Sequence, residues 1–490
     1  MIRIEEIGKL GPADFIQKFI DIDSLGFRGL FQNLKDYETW FFEKGESYSS
    51  SVDKYKTPWL KLFDESGRRV DLIQYPYEYW ELLYEGYKRG IIDMVFQYDS
   101  IFPFYLMLYI TTFFDAGLGC PYTVSLSTAL PVEKYGEQKL KEEILSKMRI
   151  RGKDVWQGAT WMTEIKGGSD LGYSVETEAV EIGGGKWILN GEKYFSSNVG
   201  AEVAVVAARP KGAPRNVKGL CLFLVKKFKE DGSLNYFVRR LKDKIGTRSV
   251  PTGEVEFKNT EAYLLGKKEW GIYEILDVLN SSRLSNIFGS VAVIQRAINL
   301  AYKFASQRFA FGKYVIEHPL MRKQFREKIL ELIKCFNIAF DTVKLYNKVF
   351  KQVPPFSDDF RLFRIMSHLS KYYTAEVAIQ TSKWAMEVWG GLGILEEFEV
   401  ERLFRESIIL SIWEGTPHRQ MLDGLEALSG KEGYKLFFGF LREKFKGDEF
   451  KSKQISDALS YTEKFLELPG EQKEERIEEL FKKLIDVWGS

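Results

Sequence analysis

Through roughly the first 155 residues, apolar side chains recur at the three- and four-residue spacing of helices. Residues 77–91, YEYWELLYEGYKRGI, bring Tyr77, Trp80, Leu83 and Tyr87 near one helical face. Residues 137–150, EQKLKEEILSKMRI, predict an amphipathic helix ending before Gly152. The most apolar stretch, residues 94–119, is interrupted by Asp99, Pro103 and Asp115, and its clean run from 101 to 114 is too short to span a bilayer. It predicts a buried helix. From about 156 to 270 the pattern shortens. EVAVVAARP, GLCLFLVKKF and TGEVEFKNTEAYLLG are β-branched or aromatic runs set between turns, and KWILNGEKYFSS places Asn190-Gly191 between two apolar arms, a hairpin signal. Glycines cluster at 183–185. About seven or eight strands are predicted. Beyond Gly271 the helical period returns in three long runs, residues 272–311, 320–350 and 368–391, which predict an antiparallel bundle. The expected chain is therefore α+β: an N-terminal helical domain (1–155), a β-barrel or sandwich domain (156–270), a C-terminal four-helix bundle (271–430) and an appended helical extension (431–490).

Composition narrows the function without naming it. A chain of 490 residues can bury large cores in several structural units. Lys plus Arg number 70 against 69 Asp plus Glu, so net charge gives no global case for nucleic acid or an anionic membrane. Cys120, Cys221 and Cys335 are too few and too scattered for a disulfide framework, which fits a reducing cytoplasm. His318, His368 and His418 show no metal-ligand spacing, so no metal is expected. The opening MIRIEEIGKL lacks the basic-then-apolar pattern of a signal peptide, and no membrane segment is expected. No G-x-G-x-x-G follows a predicted strand, which disfavours NAD as the main cofactor.

One short stretch raises a chemical question. In SIWEGTPHRQ, residues 411–420, Glu414 follows the bulky Trp413 and precedes Gly415, Thr416 and Pro417. Glu414 is either a solvated charge near a helix start or a carboxylate placed to take a proton, and these residues alone leave both readings open. Other stretches join it. WQGATWMTEIKGGSDLGYSVETEA (156–179) resembles the acyl-CoA dehydrogenase signature, GEKYFSSN (191–198) its flavin-facing strand, QRFAFGK (307–313) its Arg-x-x-Phe-Gly segment, and MEVWGGLG (386–393) and WEGTPHRQ its last two motifs. Each is weak singly; their order and predicted secondary structures together make the resemblance specific. CPYTVSLSTA (120–129), SIWEG and the segment 67–91 resemble the AidB-type, alkylation-response branch of that family.

The resemblance implies FAD, bound in an extended pose shared between subunits of a homodimer or homotetramer, and α,β-dehydrogenation of an acyl-CoA thioester in fatty acid metabolism. A carboxylate takes the α-proton while the β-hydrogen leaves as hydride to flavin N5. A thioester α-proton is weakly acidic, so the base needs a raised pKa, and a Glu buried beside apolar rings acquires one. Glu414 holds the family's base position, with Trp413 and Gly415 beside it on the substrate side. The alternative base position of some members is Ser282 here, before Arg283, and Ser cannot do that work. Arg283 is either a bundle salt bridge or a substrate contact. Met162 and Thr163 would meet the isoalloxazine ring. Ser169 would reach the pyrophosphate or nearby substrate, unless it is an ordinary Gly-Ser turn. Phe195 stands where the family usually has Trp, keeping ring stacking but losing the indole donor. Ser197 keeps a hydroxyl where Thr is common. Arg308 would fork the pyrophosphate of a neighbouring subunit, with Phe311 over the adenine side. Glu387 departs from the usual Gln before the Gly390-Gly391 turn and needs a compensating cation or a turned-away side chain, while the turn itself can offer backbone donors. Thr416 would touch the adenine portion.

Three functions compete under this resemblance. The first is an acyl-CoA dehydrogenase passing electrons to an electron-transfer flavoprotein-type acceptor. The second is an AidB-like flavoprotein with a nucleic-acid-associated protective role. Residues 431–490 hold 12 Lys/Arg and 13 Asp/Glu, so the C-terminal charge gives that role no support. Residues 211–248 carry 11 Lys/Arg against Glu230, Asp231 and Asp243, and could meet a CoA phosphate, a nucleic acid or only water. The third is a flavin oxidase or monooxygenase, against which Glu414 argues.

Overall fold

The structure, a computed structural model, describes residues 3–489, which fall into two compact units. One is Gly11–Ser285; the other joins the residues before Gly11 to those from Asn286 onward.

In the first unit the apolar run at 101–114 becomes the helix Phe102–Phe114, buried along its whole length. Asp115 ends it and starts the next helix, Ala116–Tyr135, by accepting from Leu118 N at 2.8 Å, while Ser49 Oγ donates to its other oxygen at 2.7 Å. No helix among the described residues is long and apolar enough to cross a membrane. The N-terminal region is not helical throughout. Strands β1 (Trp59–Phe63) and β2 (Arg69–Gln74) form an antiparallel hairpin, turned at Asp64, whose carboxylate accepts from Ser66 N and Arg68 N at 2.9 Å. The period-two alternation of WLKLF and RVDLIQ around a polar turn carries this signal.

Seven further strands form the β domain: β3 (Gly158–Trp161), β4 (Glu178–Gly183), β5 (Lys186–Ser197), β6 (Val203–Pro210), β7 (Cys221–Lys226), β8 (Phe237–Leu241) and β9 (Thr252–Leu265). Their order is β3-β6-β4-β5-β9-β7; β6 also pairs β7, closing the sheet, and β8 pairs β9. On β6, Ala204, Val206 and Ala208 enter the barrel core with Trp161, Trp187 and Phe223, while Val203, Val205 and Ala207 pack outward with Ala129, Ile144 and Leu145. Burial on both faces is why the strand reads as an unbroken apolar run. The hairpin expected at Asn190-Gly191 does not form. β5 runs straight through it, with a bulge beside Gly191 (φ +149), and the turn lies at Gly183, Gly184 and Gly185, all at positive φ. A Cβ at Gly191 would lie 2.6 Å from Thr177 Cα, so the glycine serves close backbone approach and not a turn.

Glu274, in the first turn of the helix Gly271–Ala305, is 2 % exposed and pressed against Gly266. Burial pushes its carboxyl up to about 7; the Lys267 N–H opposes this and Asp277 adds to it. The folded chain therefore holds a proton that the unfolded chain releases above 4.5, and this group's contribution, present below 4.5, is lost as pH rises through 7. About 3 kcal/mol is at stake. Glu274→Gln should raise stability at pH 8, leave it unchanged at pH 4.5 and flatten the slope between, measured by urea unfolding; an unaltered slope would assign the pH dependence elsewhere.

The second unit is helical: Pro319–Val349, Asp358–Trp389, Glu399–Ile412 and Pro417–Ser429, then Gly433–Lys444, Glu449–Leu466 and Gly470–Gly489. Asp358–Trp389, N-capped by Ser357, packs against each of the first group. The last three helices are not a loose appendage. Leu480, Phe481, Leu484 and Trp488 are fully buried, Phe481 stacks edge-on against Tyr372, and Trp488 Nε1 donates to Asp341 at 2.9 Å.

Candidate active site

In the first unit the strand β3 delivers Met162 and Thr163 at its end. Tyr194 N donates to Thr163 O at 2.9 Å, tying this segment to β5. Beneath it lies a buried ion pair: Lys193 Nζ to Glu164 Oε1 at 2.6 Å, both side chains almost wholly enclosed. Glu164 also accepts from Glu176 N, Thr177 N and Thr177 Oγ1. Lys193 donates again to Met162 O at 3.2 Å. Burial pulls the Lys193 ammonium below its ordinary range, and Glu164 partly restores it. Above this base Met162 is buried, Thr163 half-buried and Phe195 54 % exposed. Lys242 lies over the neighbouring Tyr194 ring and 5.2 Å from the Phe195 ring. Ser197 meets Thr252 Oγ1 at 3.3 Å, and Trp161 Nε1 donates to its carbonyl. Ser169 sits on an exposed turn. Arg283 is buried with Nη1 donating to Asn280 at 3.2 Å, and Ser282 pairs with Ser127 at 3.0 Å.

In the second unit Arg308 precedes a two-stranded hairpin, β10 (Phe309–Ala310) and β11 (Lys313–Tyr314), with Phe311 at its tip, 97 % exposed and at φ +55. Glu387 near the end of Asp358–Trp389 is paired one turn back with Lys383 on the helix surface. Gly390 follows at φ +61, with Gly391 beside it, and no atom lies where a Cβ of either would stand.

The same helix holds the turn that follows Glu399–Ile412. Trp413, Glu414, Gly415 and Thr416 are half-buried, and Glu414 (φ +58) and Gly415 (φ +101) are consecutive left-handed residues. A glutamate pays roughly 1–2 kcal/mol for that conformation. Thr416 is the N-cap position of Pro417–Ser429, with Pro417 at its first turn. Lys371 and Gln420 grip this turn and His368 holds Gln420 in turn; Gln420 ends the WEGTPHRQ motif, while Lys371 and His368 lie outside the motifs. Their signal in the sequence was slight, a Lys and a His on an otherwise apolar helical stretch. Ion pairs engage at least five of the eleven cations of residues 211–248: Arg215 with Glu176, Lys226 with Glu143, Arg239 with Glu256, and Arg240 and Lys242 with Glu254.

Residues 159–260 match the middle domain of acyl-CoA dehydrogenases and residues 269–428 their C-terminal domain. Residues 48–154 match the N-terminal domain of the adaptive response protein AidB. Acyl-CoA dehydrogenase family member 11 of Caenorhabditis elegans is 30% identical over 426 residues, covering 82% of this chain and 69% of that protein. The chain belongs to the acyl-CoA dehydrogenase family. AidB of Escherichia coli (strain K12) is 28% identical over 435 residues, 85% of this chain and 76% of that one. Among solved structures, C. elegans ACDH-11 in complex with C11-CoA superposes with a TM-score of 0.87 at 24% identity over 100% of this chain and 87% of that chain. The Bd2924 apo-form gives 0.83 at 28% identity over 99% and 94%. Acyl-CoA dehydrogenases are FAD-dependent oxidoreductases acting on the CH–CH bond of acyl-CoA. Each unit by itself presents groups suited to part of a flavin dinucleotide: in Gly11–Ser285 nothing among the described residues engages the Thr163 hydroxyl and the Phe195 ring faces outward, and in the other unit the Phe311 ring faces outward and the Gly390-Gly391 turn is sterically open.

Proposed function

We propose that this acyl-CoA dehydrogenase oxidises an acyl-CoA thioester with Glu414 as general base. The observation that carries the reading is the turn at 413–416, where Glu414 is half-buried and left-handed and its backbone is held by Gln420 at its own carbonyl and by the buried Lys371 at the next. The alternative base position supports it, since Ser282 is engaged by Ser127. Bound FAD would supply the hydride acceptor. Met162 and Thr163 would line its ring, the Thr163 hydroxyl donating, with Phe195 and Ser197 alongside and the Glu164–Lys193 pair fixing that segment from below. Ser169 would serve the phosphates or the nearby substrate. Arg308, Phe311, Gly390, Gly391 and Thr416 would hold the dinucleotide, with Glu387 neutralised by Lys383. Trp413 and Gly415 would border the thioester, and Glu414 would accept its α-proton. Arg283, hydrogen-bonded to Asn280, would stand on the substrate side. The setting is cytoplasmic fatty acid metabolism in a homodimer or homotetramer, with electrons passing to an electron-transfer flavoprotein.

Anaerobic titration of the yellow protein with short, medium and long acyl-CoAs tests this. One chain-length class should bleach the flavin absorbance stoichiometrically. An FAD-loaded protein that no thioester bleaches would sink the proposal. It would favour instead the AidB-like role to which the match at residues 48–154 points, to be pursued by nucleic-acid binding across salt concentrations.

A further inference from the structure

The turn that carries Glu414 is gripped from within. Lys371, 1 % exposed on the helix Asp358–Trp389, donates to Ser411 O at 2.6 Å and to Gly415 O at 2.7 Å. Ser411 lies in the last turn of Glu399–Ile412, where helix carbonyls lack intrahelical partners. Gly415 directly follows Glu414. One ammonium therefore bridges both ends of the short segment in which Glu414 is left-handed. Gln420 holds the middle: Nε2 donates to Glu414 O at 2.7 Å and to Gly415 O at 3.2 Å. With its amide nitrogen so engaged, its Oε1 is the acceptor, so His368, 2.9 Å away, donates through Nδ1. His368 and Lys371 stand three residues apart on one helix, Lys371 bracing the turn directly and His368 bracing it through Gln420.

A buried ammonium is a costly way to finish a helix, because desolvation penalises the charge and a glycine cap would serve. What the charge adds is stiffness, since charge-assisted hydrogen bonds are short and strong. Without them Glu414 can relax to negative φ, which swings its Cα–Cβ bond and moves the carboxylate. We infer that Lys371 is a positioning residue for the reaction, fixing through the Ser411 and Gly415 carbonyls the direction in which Glu414 presents its carboxylate, with His368 and Gln420 as a second brace. This rests on Glu414 being the base.

The test uses FAD-loaded enzyme and the acyl-CoA that bleaches the flavin most completely, measuring turnover and α-proton exchange with D2O. Lys371→Met should lower kcat on the order of 10²-fold, as expected for a small misplacement of a reacting group, with KM within about twofold. In a Glu414→Gln background the same change should cost nothing further, because it acts only through that carboxylate. Lys371→Arg, which keeps the charged donors, should lose less than about tenfold, and it carries the test with Gln420→Met if Lys371→Met does not fold. An equal loss in both backgrounds would make Lys371 merely structural and overturn the inference. Near-parent kcat in Lys371→Met while Glu414→Gln is inactive would overturn it alone. Full activity in Glu414→Gln would overturn the base assignment and the inference with it.

Discussion

Glu414→Gln should lower the rate of flavin reduction by roughly 10²- to 10⁴-fold, the range a positioned general base contributes, while leaving the protein yellow and able to bind its thioester. Gln has the shape of Glu and can occupy the same left-handed conformation, so the turn and its grip by Lys371 and Gln420 should persist. What disappears is the capacity to accept a proton. Because the α-proton moves only in the transition state, the loss should fall on kcat, with the dissociation constant for acyl-CoA nearly unchanged. Glu414→Asp keeps the carboxylate but withdraws it by one methylene, and an intermediate rate is expected. Stopped-flow reduction under anaerobic conditions separates these outcomes. A Gln variant reducing its flavin at the parent rate would move the base elsewhere in the chain.

Glu414 was legible because its neighbours are: Trp413, Gly415, Thr416 and Pro417 form a motif whose position late in the chain is itself informative. Lys371, His368 and Gln420 were not, because their roles depend on which carbonyls they meet, and no spacing rule links residue 371 to residue 415. The β domain shows the same division. Its seven strands follow from β-branched runs between turns, yet Asn190-Gly191, the strongest hairpin signal, lies inside β5. The dipeptide is locally competent to turn; the approach of Thr177 and the pairing of Asn190 Oδ1 with Asn259 N give it another use. The hairpin of β1 and β2 hid for the opposite reason. Its strands are short and flanked by strongly helical segments, and its Asp71 accepts from Val238 N, a partner 167 residues away. Likewise the charge of residues 431–490 suggested an appendage, whereas Leu480, Phe481, Leu484 and Trp488 form one buried helical face. Charged residues there outnumber the apolar ones that decide its position.

Lys193→Met should be the most destabilising single change in the unit Gly11–Ser285, at about 3–5 kcal/mol, because it leaves the Glu164 carboxylate buried without its cation. The two backbone donors of residues 176 and 177 and the Thr177 hydroxyl remain, and they hold a carboxylate geometrically without neutralising it. The loss should reach the flavin side as well. Lys193 also binds Met162 O, and Tyr194 binds Thr163 O, so the pair anchors the segment assigned to the isoalloxazine ring from two directions. Thermal unfolding and FAD retention on gel filtration should therefore fall together. The double variant Glu164→Leu, Lys193→Met separates charge from shape. Removing both partners abolishes the stranded carboxylate, and stability should recover most of what the single variant lost, since an apolar replacement of a buried pair is often neutral. FAD retention should not recover with it, because the two apolar replacements can make none of the hydrogen bonds that orient residues 162–164. Recovery of both together would mean that the pair supplies bulk stability alone; recovery of stability without FAD would identify Glu164–Lys193 as the fixture that keeps the flavin-facing segment in place.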